Sequence, residues 1–336
     1  MSGNPEQTGE WVDGLGQLAA VDDALGWAVD VLQGMGREVV AEPMTLKDRA
    51  WSRVVRLTTA DGTVWLKVNR GGTTYEPAVV EALGRLTPKS VDEPLAVAGA
   101  WMLTSDGGPT LRDVRGDSAP DLEAMSEVMR EYAALQRATA PHAERLLSVG
   151  VPDLRPSLIP AAFEDLLGQD QWMRVGQDGG LSQEAYARLQ THRPVLADAC
   201  ARLAESPIPV ALQHDDLHDN NVFVPSPGVY RIFDWGDASI AHPFGTLLVS
   251  LRSFAAFSET TVDDPRVTAL RDAYLDCWTD LAPMRQLLED AELAISIAPV
   301  GRALSWQRAL VDAGPEERAE WQDSVWGWLE ELLPEA

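Results

Sequence analysis

The sequence predicts an α+β fold of two unequal lobes, a small antiparallel β lobe followed by a large helical lobe. Short runs that alternate apolar and polar residues cluster in the first third of the chain, with turn signals between them. The remainder has mainly helical periodicity. We therefore divide the chain into an N-terminal extension with a helix (1–37), a β lobe (38–105) and a helical lobe (106–336).

The extension and the β lobe are expected to contain two helices and five strands. Apolar residues at helical spacing predict the helices, and alternating runs predict the strands. The predicted elements are a helix at 21–36, strands at 37–46, 52–59 and 63–69, a helix at 75–86, and strands at 93–99 and 100–105. Ala60-Asp61-Gly62 is typical of a hairpin turn, so the second and third strands should pair directly.

The helical lobe is expected to begin after a short hinge near residues 104–108. Helical periodicity covers 121–140, 181–206 and most of the chain from 240 onwards, where prolines should interrupt the helices. Those prolines are Pro265, Pro283, Pro299 and Pro315. A single β island, residues 221–234, lies among these helices.

The composition argues against several classes of protein. The chain carries 52 acidic and 27 basic residues, a net charge of −25, which repels nucleic acid and anionic membrane surfaces. It has no long apolar run that would predict a membrane span, and its start does not resemble a signal peptide. Its two cysteines, Cys200 and Cys277, are too few for a disulfide framework, which favours a cytoplasmic protein. Nothing in the sequence indicates an oligomeric state.

The stretch HDDLHDNNVFV (214–224) places a cluster of ionisable and amide side chains directly before an apolar strand. Pro225-Ser226-Pro227-Gly228 then predicts a turn into a second strand. If the residue numbers of antiparallel partners sum to 455, Asn221 lies opposite Asp234, and a short loop brings the Asp216 carboxylate to them. Carboxylate and amide oxygens are ligands that Mg²⁺ takes beside phosphate oxygens, and the third side chain, that of Asp216, is left free to accept a proton. This pattern is typical of phosphoryl transfer.

Together with IFDWGDASIAHP (232–243), the first motif closely resembles the signature pair of the aminoglycoside phosphotransferases and their choline-kinase-like relatives. In that family the first motif commonly reads His-Gly-Asp-Leu-His-Pro-Gly-Asn. The resemblance extends roughly from residue 40 to residue 320 and implies a bilobal, protein-kinase-like fold. It also implies transfer of the γ-phosphate of ATP, or of GTP, to a hydroxyl group of a small molecule. By the same resemblance Asp216 is the catalytic base, and Asn221 and Asp234 hold Mg²⁺.

The register of the first motif leaves one alternative, because Asp215 and Asn220 are also five residues apart. The order His-x-Asp-Leu, and the strand that begins directly after Asn221, favour Asp216 with Asn221. The chain departs from the family at Asp215, where Gly is usual, and at Asp219-Asn220, where Pro-Gly is usual. These departures concern the backbone of the loop more than its ligands.

His214 and His218 raise a second alternative, a zinc site, because they lie four residues apart. No cysteine and no second pair of histidines supports a zinc site. In kinase-like loops the first histidine braces the backbone, and the resemblance implies this role for His214.

Lys67 alternates with apolar neighbours in VWLKV, so its side chain projects from one face of a strand expected to be central in the sheet. A buried lysine needs a carboxylate partner because the desolvation of an unpaired charge is costly. In kinases the lysine of the third strand binds the α- and β-phosphates and pairs with a glutamate of the next helix. Glu76 and Glu81 are the candidates, and the family's spacing before a core leucine, here Leu83, favours Glu76.

The rest of the nucleotide site is less specific. Residues 46–52 contain no glycine where protein kinases have a glycine-rich loop, and no long activation segment follows IFDWG, so a protein kinase is disfavoured. Ser52 and the neighbouring backbone N–H groups are candidates for phosphate contacts. Backbone groups from Thr104 to Asp106 are candidates for the adenine edge, although a plain turn explains the same residues.

The acceptor is expected over the helical lobe. From residue 258 to the end, 17 acids and six arginines give a net charge of −11, which favours a cationic acceptor such as an aminoglycoside or another antibiotic. The alternatives are an amino sugar, choline or another metabolite, or a catalytically silent module that binds nucleotide. Asp237 either faces the acceptor or stabilises its own loop. The late tryptophans form core or a stacking surface for a sugar or macrocycle: Trp278, Trp306, Trp321, Trp326 and Trp328.

Overall fold

A computed structural model describes residues 21–333, and its elements form the two lobes that the sequence predicts. The strands among the described residues are β1 (Met44–Arg49), β2 (Ser52–Thr59), β3 (Gly62–Asn69), β4 (Ala96–Ala98), β5 (Trp101–Ser105), β6 (Ala211–Gln213), β7 (Val222–Ser226), β8 (Val229–Ile232) and β9 (Ser239–Ala241). The α-helices of the same part of the chain are α1 (Val21–Gly34), α2 (Glu76–Leu86), α3 (Leu111–Arg115), α4 (Leu122–Thr139), α5 (Ala143–Ser148), α6 (Ile159–Leu167), α7 (Asp170–Met173), α8 (Gln183–Ala204), α9 (Leu247–Phe257), α10 (Pro265–Leu275), α11 (Met284–Ala309), α12 (Pro315–Glu320) and α13 (Asp323–Glu330). The beginning of the expected extension, residues 1–20, lies outside the described residues. None of the described helices has the length and apolarity needed to span a membrane.

The first lobe is built on a five-stranded antiparallel sheet with the strand order β1-β2-β3-β5-β4. Alternation along β2 and β3 gives the sheet an apolar face, on which α1 packs through Ala24 and Leu32. The opposite face packs on α2, since Met102 of β5 belongs to the same apolar cluster as Val79. Lys67 of the central strand β3 lies beside Met102 on this second face.

The first strand differs from the prediction. The sequence favoured residues 37–46, whereas the strand begins after Pro43 and continues to Arg49. Before it, an isolated bridge joins Val39 to Thr59. Pro43 explains the boundary because a proline has no N–H group to donate to a ladder.

The turn between β1 and β2 packs against the helical lobe. Trp51 in this turn contacts Trp306 of α11 and Trp321 edge-on, with ring centroids 5.7 and 6.0 Å apart. Trp306 and Trp321 are themselves stacked at 5.2 Å. Edge-to-face and stacked pairs are favoured arrangements of aromatic rings. This tryptophan cluster joins the two lobes.

The chain connection between the lobes is also closely packed. A Cβ at Gly107 would lie 2.3 Å from the ring of Phe223, so only glycine fits against that ring. Phe223 in turn stacks on Phe233, with centroids 3.8 Å apart. The connection is therefore seated on the β7–β8 hairpin.

Two features of the helical lobe differ from the prediction. Pro299 lies inside α11 and does not end a helix. It removes one backbone hydrogen bond, but buried neighbours such as Ile297 hold the helix against the core. The three-residue strands β6 and β9 pair in a small sheet; strands this short have no detectable period. Pro265 and Pro315 begin helices, a favoured position for proline, and Pro283 immediately precedes α11.

A buried histidine makes the stability of the helical lobe depend on pH. His242 accepts the backbone N–H of Phe244 at its Nδ1 and meets the Phe244 ring edge-on. Burial lowers the pKa of His242 from its ordinary value of 6.5 to about 3. Because the unfolded chain binds this proton first, the contribution of His242 to stability is fully present above pH 6.5 and is lost as the pH falls towards 3.

We expect His242→Asn to flatten the pH dependence of the free energy of unfolding below pH 6.5. Asparagine keeps an acceptor for Phe244 but takes up no proton, so the variant lacks the slope of up to about 1.4 kcal/mol per pH unit that one such histidine contributes. Urea unfolding of both proteins across this pH range measures the difference. Equal slopes for the two proteins would contradict the prediction.

Candidate active site

The β7–β8 hairpin brings the two polar motifs together in a register one residue away from the predicted one. Val222 pairs with Ile232, and the Phe233 N–H donates to the Asn221 carbonyl at 3.1 Å. Asn221 therefore lies opposite Phe233, and Asp234 follows one residue beyond. The predicted sum of 455 was wrong at this end of the hairpin because the pairing shifts by one residue between Phe223 and Ser226. Both motifs still meet at the hairpin's open end.

Asp216 and Asn221 are held together within the loop before β7. The Asn221 Nδ2 donates to the backbone carbonyl oxygen of Asp216 at 2.9 Å and lies 3.3 Å from the Asp216 side-chain Oδ2. Since a carbonyl oxygen only accepts, the amide nitrogen must face it, and the Asn221 amide oxygen faces away. The Asp216 side chain is 31% exposed, so its carboxylate remains accessible to solvent.

Asp215 does not share this access, which argues against the alternative register. Its side chain is buried and accepts hydrogen bonds from Gln213 and from Ser239 at 2.5 Å. Its φ of +64° is in the left-handed region, which accounts for the glycine usual at this place in the family. Burial raises the pKa of Asp215 to about 6.

Asp219, a second position at which the chain departs from the family's motif, anchors the loop to α3. Its buried carboxylate accepts from Arg112 at 2.6 Å and from Arg115 at 2.8 Å. Two charge-assisted contacts on one carboxylate fix its position more firmly than a neutral hydrogen bond. The loop is thus anchored to the first helix after the connection between the lobes.

The two histidines of the loop support its backbone. His214 is buried, its Nδ1 accepts the Asp216 N–H at 3.3 Å, and its Nε2 lies 2.8 Å from the Phe233 carbonyl oxygen. That oxygen only accepts, so Nε2 carries the proton. Burial lowers the pKa of His214 below its usual value. The His218 Nδ1 accepts the Asn220 N–H at 3.1 Å. Among the described residues no group of three His, Cys, Asp or Glu side chains is arranged to hold a metal ion.

A charged cluster connects the two lobes behind this loop. The Lys67 Nζ lies 2.7 Å from Glu76 Oε2 and 2.6 Å from Asp234 Oδ1. Glu76 is buried, and its Oε1 also accepts the backbone N–H of Trp235 at 3.0 Å. Glu81, the alternative partner, instead pairs with Arg85 on the same helix.

The charges of this cluster stabilise one another. Burial alone would lower the pKa of Lys67, but the carboxylates of Asp234 and Glu76 outweigh it and raise that pKa. Lys67 in turn lowers the pKa of Asp234 to about 2. Asp234 is therefore ionised at neutral pH, and its side chain is 47% exposed to solvent.

The remaining candidates for nucleotide contacts lie on the first lobe. Ser52 is buried at the start of β2, in register with Arg49 and with Asn69. Thr104 lies near the end of β5, at the edge of the connection. Asp106 accepts the N–H of Gly108 at 3.2 Å, which shapes the turn into the second lobe.

The sequence reasoning missed Arg302, a buried residue of α11. Its Nη2 lies 3.3 Å from Asp216 Oδ1, and its Nη1 lies 3.1 Å from Asp237 Oδ2. Asp237 also accepts from Ser305 at 2.5 Å, so it stabilises its surroundings by hydrogen bonds. A sequence signal existed, because Arg302 is the only charged residue between Glu292 and Arg308, and a lone charge in an apolar helix needs a partner.

Arg302 also affects the charge of Asp216. Burial disfavours the ionised carboxylate, but Arg302 and then His218 outweigh this effect and hold the pKa of Asp216 below its ordinary value. Asp216 is thus an ionised, partly exposed acid beside the amide nitrogen of Asn221 and the guanidinium of Arg302. This arrangement can orient a hydroxyl group and accept its proton.

Comparison with known proteins identifies the family and the fold of the chain. The chain matches the phosphotransferase enzyme family over residues 46–287. A comparison with curated proteins gives no match. The fold is similar to that of a macrolide 2'-phosphotransferase from Brachybacterium faecium, with 17% identity over 89% of this chain and 97% of that chain and a TM-score of 0.55.

Two further solved structures have the same fold. Choline kinase from Cryptosporidium parvum is 12% identical over 93% of this chain and 95% of that chain, with a TM-score of 0.60. The amicoumacin kinase hAmiN, in complex with AMP-PNP, Ca²⁺ and Ami, is 13% identical over 86% of this chain and 87% of that chain, with a TM-score of 0.56. The chain therefore belongs to the phosphotransferase enzyme family, and the class of enzyme predicted from its motifs, a small-molecule kinase with a protein-kinase-like fold, is confirmed.

Proposed function

We propose that this enzyme transfers the γ-phosphate of ATP, or of GTP, to a hydroxyl group of a cationic small molecule and uses Mg²⁺. The observation that carries the proposal is the contact of Asp216 with Asn221 at the open end of the β7–β8 hairpin. The other strand of this hairpin leads into Asp234, which pairs with Lys67 beside Glu76. Phosphoryl transfer requires positioned charges and an oriented hydroxyl more than covalent participation of the protein.

Asp216 is the proposed catalytic base. It would accept the proton of the acceptor hydroxyl while the hydroxyl oxygen bonds to the γ-phosphorus and the bond from that phosphorus to its bridging oxygen breaks. The nucleoside diphosphate leaves with the electron pair of the broken bond. The partial exposure of Asp216 and its lowered pKa support this role, because the carboxylate is ionised and accessible to solvent.

Asn221 and Asp234 are the proposed ligands of Mg²⁺, and their geometry fits a hard divalent cation. The Asn221 amide oxygen faces away from the Asp216 carbonyl, and the exposed Asp234 carboxylate is ionised. When bound there, Mg²⁺ would supply positive charge that offsets the charge on the phosphoryl oxygens. The similar amicoumacin kinase contains AMP-PNP and Ca²⁺, which supports a site for both nucleotide and divalent cation.

The first lobe, residues 38–105, is the proposed nucleotide-binding lobe. Lys67 would bind phosphate oxygens from the position in which Glu76 holds it. The backbone from Thr104 to Asp106 is the proposed contact for the base. Ser52 is a weaker candidate for a phosphate contact because it is buried in the sheet.

Residues 106–336 are the proposed catalytic and acceptor lobe. The net charge of −11 after residue 258 would concentrate a cationic acceptor by electrostatic attraction. An aminoglycoside or another antibiotic is the first candidate, and choline or an amino sugar is the second, which the similarity to a choline kinase supports.

We also propose a cytoplasmic location, for which the two free cysteines are the support.

Asp216→Asn should lower kcat by about 10²–10⁴-fold with little change in the KM for nucleotide, because it removes a proton acceptor and not a binding group. Consumption of ATP and GTP is measured across aminoglycosides, macrolides, amino sugars and choline. Asp263→Asn, at an exposed acid outside the site, is the matched control and should retain the wild-type rate. Undiminished turnover in Asp216→Asn would refute the assignment of the base. No turnover of any acceptor by wild-type protein that binds nucleotide would favour a catalytically silent module.

Glu76→Gln should raise the KM for nucleotide by about tenfold or more. Without the Glu76 carboxylate, Lys67 is drawn towards its remaining partner, Asp234, and away from the phosphates. Glu81→Gln on the same helix is the matched control, since Glu81 pairs with the largely exposed Arg85. Steady-state kinetics with varied nucleotide compare the two variants. Equal effects of both substitutions would show that the pairing does not position the lysine.

Removal of Mg²⁺ should abolish turnover and weaken nucleotide binding to the wild-type enzyme. In Asp234→Asn, which lacks the anionic ligand, nucleotide affinity should depend much less on Mg²⁺. Isothermal titration with ADP, with and without Mg²⁺, measures both effects. Wild-type affinity that does not respond to Mg²⁺ would exclude the proposed metal ligands.

A further inference from the structure

Arg302 reaches the catalytic loop because α11 lies directly against it. A Cβ at Gly301 would lie 3.9 Å from Asp215 Oδ1 and 3.6 Å from Leu154 Cδ1, which is ordinary contact distance. The next residue, Arg302, therefore projects into the space between the two motifs. Its side chain is 7% exposed, so the guanidinium interacts with protein groups rather than with bulk water.

The guanidinium bridges three residues of the two motifs. Nη2 pairs with Asp216, and Nη1 pairs with Asp237 and donates to the Asp215 carbonyl oxygen at 3.1 Å. Ser305, which lies on the same helix one turn later, donates to Asp237. Asp237 is thereby held in place and binds the Arg302 Nη1, whereas the Arg302 Nη2 faces Asp216.

We propose that Arg302 is a positioning residue for phosphoryl transfer, which holds the Asp216 carboxylate in the orientation that receives the acceptor hydroxyl. This inference rests on the proposed function. The other side-chain groups near the Asp216 carboxylate, Asn221 Nδ2 at 3.3 Å and His218 Nε2 at 3.5 Å, belong to the same loop. Among the described residues, Arg302 is the contact that ties this carboxylate to the body of the helical lobe.

An arginine suits this role better than a lysine. Its planar group presents donors in fixed directions and can bridge two carboxylates at once, whereas an ammonium group acts as a single charged point. A partly dry site strengthens both ion pairs. Without Arg302 the Asp216 side chain is free to rotate about its Cα–Cβ bond, and a displacement of about 1 Å in a reacting group can cost on the order of 10²-fold in rate.

The test is a double-mutant cycle with Arg302→Gln, Arg302→Lys and Asp216→Asn, alone and combined, with the acceptor that the screen identifies. Arg302→Gln should lower kcat by about 10²-fold and leave the KM for nucleotide within about twofold, because Arg302 contacts neither Lys67 nor Glu76. Arg302→Lys should recover part of the rate. In the Asp216→Asn background either substitution should change the residual rate by less than about twofold, because residues that act as one unit are not additive.

Each outcome decides a different point. If Asp216→Asn is as active as wild type, the proposed function fails and the inference fails with it. If Asp216→Asn is impaired but Arg302→Gln lowers kcat equally in both backgrounds, the effect of Arg302 does not pass through Asp216 and the inference alone is overturned. If Arg302→Gln does not fold, the same comparison is made with Arg302→Lys. A Lys variant with wild-type kcat would also overturn the inference, since the bridge would not be needed.

Discussion

The ion pair of Lys67 with Glu76 and Asp234 is the interaction on which the rest of the structure depends. A lysine on the central strand cannot remain largely buried without carboxylate partners, and removal of one partner from such a pair costs about 3–5 kcal/mol. Glu76 comes from the first lobe, whereas Asp234 comes from the second. Because Glu76 also binds the Trp235 N–H, the lobes are aligned at the point where the nucleotide site is proposed.

The polarity of the stretch 214–224 serves mainly to build a loop. His214 supports the backbone at Asp216 and at Phe233, and Asp219 binds two arginines of α3. These contacts leave the Asp216 side chain 31% exposed. The unusual left-handed φ of Asp215 belongs to the same construction.

Local patterns predicted much of the fold and the membership of the candidate site. Alternation along β2 and β3, the hairpin turn at residues 60–62 and the helical periods of α4 and α8 depend on neighbouring residues, so they are visible in one sequence. Arg302 was not predicted, because its partners lie more than 60 residues away and are determined by how α11 packs. The hairpin register and the continuation of α11 through Pro299 likewise depend on tertiary packing.

The contact of Trp51 with Trp306 and Trp321 bears on how easily the two lobes separate. Any rotation of the lobes about the connection would pull these indole rings apart and expose their apolar faces to water, which is unfavourable in proportion to the apolar area exposed. Separation of the lobes is therefore opposed by a side chain in the β1–β2 turn, which is remote in sequence from both motifs.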